Sequence, residues 1–143
     1  MRDPLTSTRP TLDRNRLLSL VWLFVLLNFI YCDVIGLHDP SVLRSLIDGH
    51  AGDIEITPPF LLASSALMEI PIAMVLVTRI ASRRAARVAS IVGAAFMIVV
   101  QSSSLFVGVT PSYAFYSTIE IAGLVAVIVL AVRWPRPVVA AQA

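Results

Sequence analysis

Two glutamates stand where an acid is costly. Glu69 lies in ASSALMEIPIAM, residues 63–74, and Glu120 in YSTIEIAGLVAV, residues 116–127. Both surroundings are apolar enough to lie in a bilayer, where an ionised carboxylate costs several kcal/mol. The chain contains no Lys, and no Arg or His falls at the depth of either acid. Three arrangements would relieve the charge. The acids can be held protonated by desolvation. They can face water in a cavity. They can hold a cation that is not part of the chain, whether a proton, a metal ion or an amine-bearing ligand. Pro71 adds a second effect, because it cannot donate to the carbonyl of Leu67 and leaves that acceptor free near Glu69.

Other polar residues gather at similar depth. Gln101 falls in the outer half of its apolar run and Asn28 near the centre of another. Tyr31, Cys32 and Asp33 follow Asn28 outward. Residues three, four and seven apart share a helix face. Tyr113, Tyr116, Ser117, Glu120 and Gly123 make one stripe. Ala94, Met97, Gln101, Ser104 and Gly108 make another. Ser65 lies one turn above Glu69, and Asn28 shares its side with Phe24, Tyr31 and Cys32. The expected ligand- or proton-binding set is therefore Glu69, Glu120, Gln101, Asn28, Tyr116, Ser65, Tyr31 and Asp33. The plainer alternative is structural: a protonated Glu bonded to a neighbouring Gln, Asn, Ser or Tyr. Cys32 reads as a packing residue, since no His is deep enough to activate it. His38 and His50 with the acids around them read as a solvated loop, and neither a metal site nor a cofactor is expected.

The elements that must position these groups follow from composition. Of 143 residues, 57% are hydrophobic and only 14% charged, against about a quarter charged in a soluble domain. About 20 apolar residues cross a bilayer, so the chain has room for four spans and no separate soluble domain. The fold class expected is all-α: an integral membrane four-helix bundle with spans at about 17–37, 58–80, 88–107 and 111–134. Residues 1–16 and 135–143 read as tails. The first apolar run reads as a span rather than a cleaved signal, because no small-residue cleavage site follows it. Thr57-Pro58 and Thr110-Pro111 are helix starts, with Thr as cap and Pro at the first helical position. Asp39-Pro40 starts a short amphipathic helix in the first external loop, with Val42, Leu43, Leu46 and Ile47 on one side and Gly49 ending it.

Arginine placement gives the topology. Arg2, Arg9, Arg14 and Arg16 precede the first span. Arg79, Arg83, Arg84 and Arg87 lie around the second connection, and Arg133 and Arg136 follow the last span. The first connection has Arg44 alone, against Asp39, Asp48, Asp53 and Glu55. The positive-inside rule puts both termini in the cytoplasm, and the expected location is a bacterial cytoplasmic (inner) membrane. The arginines sit at the ends of apolar runs rather than on a polar face, which argues against nucleic acid as a partner. The bilayer is the expected partner, with room for a small apolar or cationic ligand and for a homo-oligomer.

ITPPFLLASSALMEI and VTPSYAFYSTIEI echo each other, each running from a Thr-Pro start to Glu-Ile about three turns later. Tyr31-Cys32-Asp33, Phe60-Leu61-Leu62, Met68-Glu69-Ile70-Pro71, Arg79, Phe106-Val107-Gly108 and Glu120-Ile121 together carry a wider likeness. On these residues the chain, from about Leu17 to Trp134, resembles an uncharacterised family of small bacterial four-helix integral membrane proteins. The resemblance implies the four-span layout and no activity. Function rests on the residues, which fit three readings. The first is a small-molecule or cation/proton-binding bundle, extending to a proton-coupled transporter. The second is a membrane-embedded enzyme with isomerase-like acid/base chemistry on a lipid or apolar substrate. The third is an accessory subunit of a larger membrane complex. No strong nucleophile, redox centre, phosphate loop or nucleotide motif is present, so binding is favoured over catalysis.

Overall fold

Four long apolar helices and one short amphipathic helix make up the chain in a computed structural model that describes residues 13–106 and 110–134. Val107 and Gly108 lie outside the described residues, as do most of the expected tails. Helix α1 runs Arg14–Gly36, α2 Pro40–Ile47, α3 Pro58–Ile80, α4 Arg83–Ser104 and α5 Pro111–Val132. Helices α1, α3, α4 and α5 are each long and apolar enough to cross a membrane. Among the described residues the fold is all-helical apart from a two-stranded hairpin after α2, β1 (His50–Ala51) with β2 (Ile54–Glu55).

Local chemistry sets the helix starts. Thr57 caps α3 by accepting from the Phe60 amide at 3.4 Å, and Thr110 caps α5 by accepting from the Tyr113 amide at 3.2 Å. Ser82 caps α4. That helix therefore begins inside the basic connection, five residues ahead of the range expected from hydrophobicity, because a cap and arginines with good helix propensity extend it. Asp13 caps α1 in the same way, so Arg14, Asn15 and Arg16 are helical rather than tail.

The first connection is more ordered than its composition suggests. Asp39 accepts from both the Ser41 amide and the Ser41 hydroxyl, at 2.9 and 2.6 Å. These bonds, the hydroxyl's first, hold the Asp39 carboxyl below the usual carboxylate range. The cap is thus intact at neutral pH and weakens only as pH falls through that lowered value. Gly49 (φ 83°) takes the left-handed turn beyond α2, and Gly52 (φ 62°) occupies the first central position of the hairpin turn. None of α2 is buried, and Ile47 on its apolar side is 76% exposed.

The four long helices pack in a ring. Helix α1 lies against α3 and α5, and α4 against the same two. Each presents an inward stripe with steps of three and four: Leu18, Trp22, Val25, Phe29 and Cys32 on α1; the partly buried Leu67 with Pro71, Met74 and Thr78 on α3; Ala86, Ser90, Ala94, Met97 and Gln101 on α4; Ser117, Glu120, Leu124, Val127 and Ala131 on α5. This spacing suits bundle packing with knobs fitting into holes. Trp22 spans the middle, fully buried, with its indole N–H donating to Ser90 Oγ at 3.4 Å. Its depth, unusual for a membrane tryptophan, follows from this role as the central filler between α1 and α4.

One end of the bundle is held by arginines. Arg14 donates to the Arg133 carbonyl at 3.2 Å and Arg87 to the Val132 carbonyl at 3.4 Å. Arg83 stacks over Trp134 at 5.4 Å. Cations here satisfy the last carbonyls of α5 and complement its dipole. Arg79 donates to Ser19 Oγ at 3.0 Å, and Ser19 in turn donates to the Val75 carbonyl at 2.9 Å. Interhelical polar bonds in membranes are worth about 0.6 kcal/mol on average and up to about 1.7. Ser19→Ala removes two of them, so it is expected to lower unfolding stability by about 1–2 kcal/mol. Thermal unfolding in bicelles would show this as a lower midpoint, and an unchanged midpoint would count against the linkage.

Candidate functional site

Helix α5 brings the deepest polar group to the centre. Glu120 is nine residues below the Pro111 end, about 14 Å along the axis, and its residue exposure is 0%. Both carboxyl oxygens are enclosed without a hydrogen-bond partner among the described residues. Buried polar groups are nearly always paired, so a carboxyl left unpaired on both oxygens calls for an explanation.

A polar network stands directly above it, toward the loop end. Gln101 Nε2 donates to Ser117 Oγ at 2.7 Å and to the Tyr113 hydroxyl at 3.4 Å. Tyr113 and Ser104 hydroxyls share a bond at 2.6 Å, and Ser104 Oγ also reaches the Gln101 carbonyl at 2.8 Å. Ser117 precedes Glu120 by three residues and so lies on the same face. The network thus runs along the α4–α5 seam from near the loop end to the turn above Glu120. From the other side, Cys32 of α1 is buried on that helix's inward stripe. Below Glu120, toward the arginine end, Leu124, Val127, Ala131, Val25, Trp22 and Leu18 close the interior with apolar side chains. The side chains along the α4–α5 seam on its loop-end side are polar, and those on its arginine-end side are apolar.

The expected residues divide into three groups. Gln101 and Glu120 come together in the interior, joined by Ser117, Tyr113 and Ser104 from the same stripes. Asn28, Tyr31 and Tyr116 instead line a shallow groove of about 280 Å³ on the α1–α5 flank, with Phe24 and Leu27. Asn28 is satisfied locally, donating to the Phe24 carbonyl at 2.8 Å, and Asp33 is exposed near the end of α1.

Ser65 and Glu69 form the third group, and neither enters the bundle. Both are exposed on α3, and Ser65 donates to its own helix at the Leu61 carbonyl, 2.8 Å. Pro71, two residues on, is buried. Two residues turn a helix by about 200°, so the inward face that holds Pro71 puts Glu69 on the far side. The two carboxylates do not share an enclosed site within the protomer, and the freed acceptor beside Pro71 belongs to the buried face.

Sequence reasoning placed Tyr113, Ser117 and Ser104 on the right stripes but outside the expected site. Their signal was position: each lies one or two turns from Gln101 or Glu120. Gly123 is the other residue whose role the packing reveals. A Cβ there would fall 2.7 Å from Val25 Cγ2. Glycine is what lets α5 approach α1 closely just below Glu120.

Neither a curated protein nor a solved structure matches this chain. A family model does match it, over residues 10–141 and so across all four long helices, and the chain belongs to that family, the Family of unknown function (DUF6326).

Proposed function

We propose that this protein is a multi-pass inner-membrane protein that binds a proton, or a cation in its place, at Glu120, with access from the loop end. The single observation that carries the reading is the enclosed carboxyl with two unpaired oxygens. A carboxylate left bare in such a place would be several kcal/mol too costly, and none of the described side chains meets its charge. The Gln101–Ser117–Tyr113–Ser104 network supplies hydroxyl and amide groups along the approach, and a chain of such groups can pass or solvate a proton. The apolar arginine end makes the site one-sided in this conformation. Transport would require a second conformation opening the other end, whereas binding and sensing would not. The arginines Arg14, Arg79, Arg83, Arg84, Arg87 and Arg133 favour a cytoplasmic position for that closed end by the positive-inside rule, and on this reading the site loads from the opposite face.

Infrared difference spectroscopy on oriented proteoliposomes tests this. A pH step on the loop side is expected to change a carboxylic acid band that survives Glu69→Gln and disappears in Glu120→Gln. An equal step on the arginine side is expected to leave the band unmoved on the same timescale. If the band persists in Glu120→Gln, the assignment to Glu120 fails. If sodium or an alkylammonium ion abolishes the band at constant pH, the site takes cations in competition with the proton.

A further inference from the structure

Arginines from two other helices converge on the last turn of α5. Arg14 of α1 donates to the Arg133 carbonyl at 3.2 Å, and Arg87 of α4 donates to the Val132 carbonyl at 3.4 Å. These two acceptors are neighbours on one helical turn, so both guanidinium groups are drawn to the same place. Arg83 of α4 lies over the ring of Trp134, 5.4 Å from its centroid. Arg133, between the two contact points in sequence, adds a fourth cation. Arg14, Arg83 and Arg87 are partly buried, so their stems are held against the bundle rather than free in solvent.

The cluster has no counter-charge of its own. Its contacts are with carbonyls and an aromatic ring, and no hydrogen bond joins these guanidinium groups to a carboxylate among the described residues. Asp13 is the one acid at this end among the described residues, and it accepts from the Asn15 amide as the cap of α1. The other acids among the described residues lie in mid-span or toward the loop end. A guanidinium carries five N–H donors. Arg14 and Arg87 each use one on a carbonyl, so most of their donors stay open to an acceptor.

Hydrocarbon surface adjoins these cations. Ile80, Val88 and Val132 are exposed at 82%, 60% and 52%, and each is the sequence neighbour of an arginine, namely Arg79, Arg87 and Arg133. Arginines at the ends of apolar spans, beside exposed aliphatic side chains, lie at the level where bilayer chains meet headgroups. A soluble anion would engage the cations alone. An amphiphile with an anionic head engages both surfaces.

We infer that Arg14, Arg83, Arg87 and Arg133 bind the phosphodiester of an anionic phospholipid, whose acyl chains lie along the apolar side chains beside them. A guanidinium fork matches phosphate oxygens two at a time, and basic sites between membrane helices hold anionic headgroups. The carbonyl bonds from Arg14 and Arg87 set the spacing of the site, because they fix both side chains over the end of α5. The bound lipid in turn ties α1 and α4 to that end. The site lies at the opposite end of the bundle from the polar network above Glu120 and does not depend on what Glu120 binds.

Native mass spectrometry of the full chain, released from vesicles of equal phosphatidylglycerol and phosphatidylcholine, tests the assignment. The unmodified protein is expected to retain phosphatidylglycerol over phosphatidylcholine by about fivefold or more. Arg14→Gln and Arg87→Gln are each expected to lower that preference by about fivefold, the factor corresponding to about 1 kcal/mol per arginine. Arg84 is exposed on the same helix as Arg87 and makes none of these contacts, so Arg84→Gln is expected to change the preference by less than about twofold. Inorganic phosphate at millimolar concentration is expected to leave the lipid in place. An unmodified protein with no preference overturns the inference, and that result requires no variant to fold. An equal loss from Arg84→Gln also overturns it, since diffuse surface charge would then account for the binding. Displacement by inorganic phosphate does so too, by assigning the arginines to a soluble anion.

Discussion

Glu120→Met is expected to make the protein more stable and, at the same time, to abolish the proton-dependent infrared signal. The two effects have one cause. Glu120 is buried with both oxygens unpaired, and a buried polar group without partners costs about 1–3 kcal/mol. Methionine has a similar length, no hydrogen-bonding demand and enough flexibility to fill the same space. The thermal midpoint in bicelles should therefore rise, by an amount corresponding to about 1 kcal/mol or more. Glu120→Gln should rise less, because its amide still needs partners that the site does not supply. A stabilised, inactive variant is the expected signature of a group kept for function. The structural alternative predicts the opposite sign: if Glu120 were glue, its removal would lower the midpoint. A fall in both variants would therefore remove the basis for the proposed site.

The second large effect is expected at Gly123. Its Cα faces α1, and an added Cβ would sit 2.7 Å from Val25 Cγ2. Val25 is fully buried and β-branched, so its rotamer has little freedom to give way within a helix. The helices must separate or Val25 must adopt a poor rotamer. Overpacking of this kind costs about 1–3 kcal/mol, set against about 1 kcal/mol of helix propensity gained on replacing Gly by Ala. The net expectation for Gly123→Ala is a loss of up to about 2 kcal/mol, and Gly123→Val should lose more. Val25→Ala in the same chain should relieve the contact, so the double variant is expected to be more stable than the sum of the two single changes predicts. Strict additivity in that cycle would show that the α1–α5 contact is not the cause.

These two positions lie next to each other in the interior but differ in how legible they are. Glu120 stands out in the sequence as an acid in an apolar run. Gly123 does not, because small residues are frequent in membrane helices and only the position of Val25 gives this one its importance. The arginines show the same contrast. Their distribution along the chain reads as topology, whereas their bonds to Arg133 and Val132 carbonyls depend on where α5 ends in space. The hairpin after α2 could have been read from Gly52-Asp53 between His50-Ala51 and Ile54-Glu55, since Gly-Asp is a two-residue turn signal. Its strands are only two residues long, too short for any alternation of side chains to announce them.

The four long apolar helices, the Thr-Pro and Asp-Pro helix starts, the short amphipathic helix, and the stripes on α4 and α5 that meet around Gln101 and Glu120 can all be read from the residues alone. These features depend on residues within a few turns of each other, where caps and periodicity act locally. Which way α3 faces is set by its packing in three dimensions. That helix is apolar nearly all round, with two stripes of equal period, and nothing local ranks one above the other. Packing against α1 and α4 selected the stripe with Pro71, Met74 and Thr78. The two similar segments then diverge: Glu120 lies nine residues after Pro111 and Glu69 eleven after Pro58. A difference of two residues is about 200° of rotation. It separates an acid enclosed in the bundle from an acid exposed on the outer face of α3.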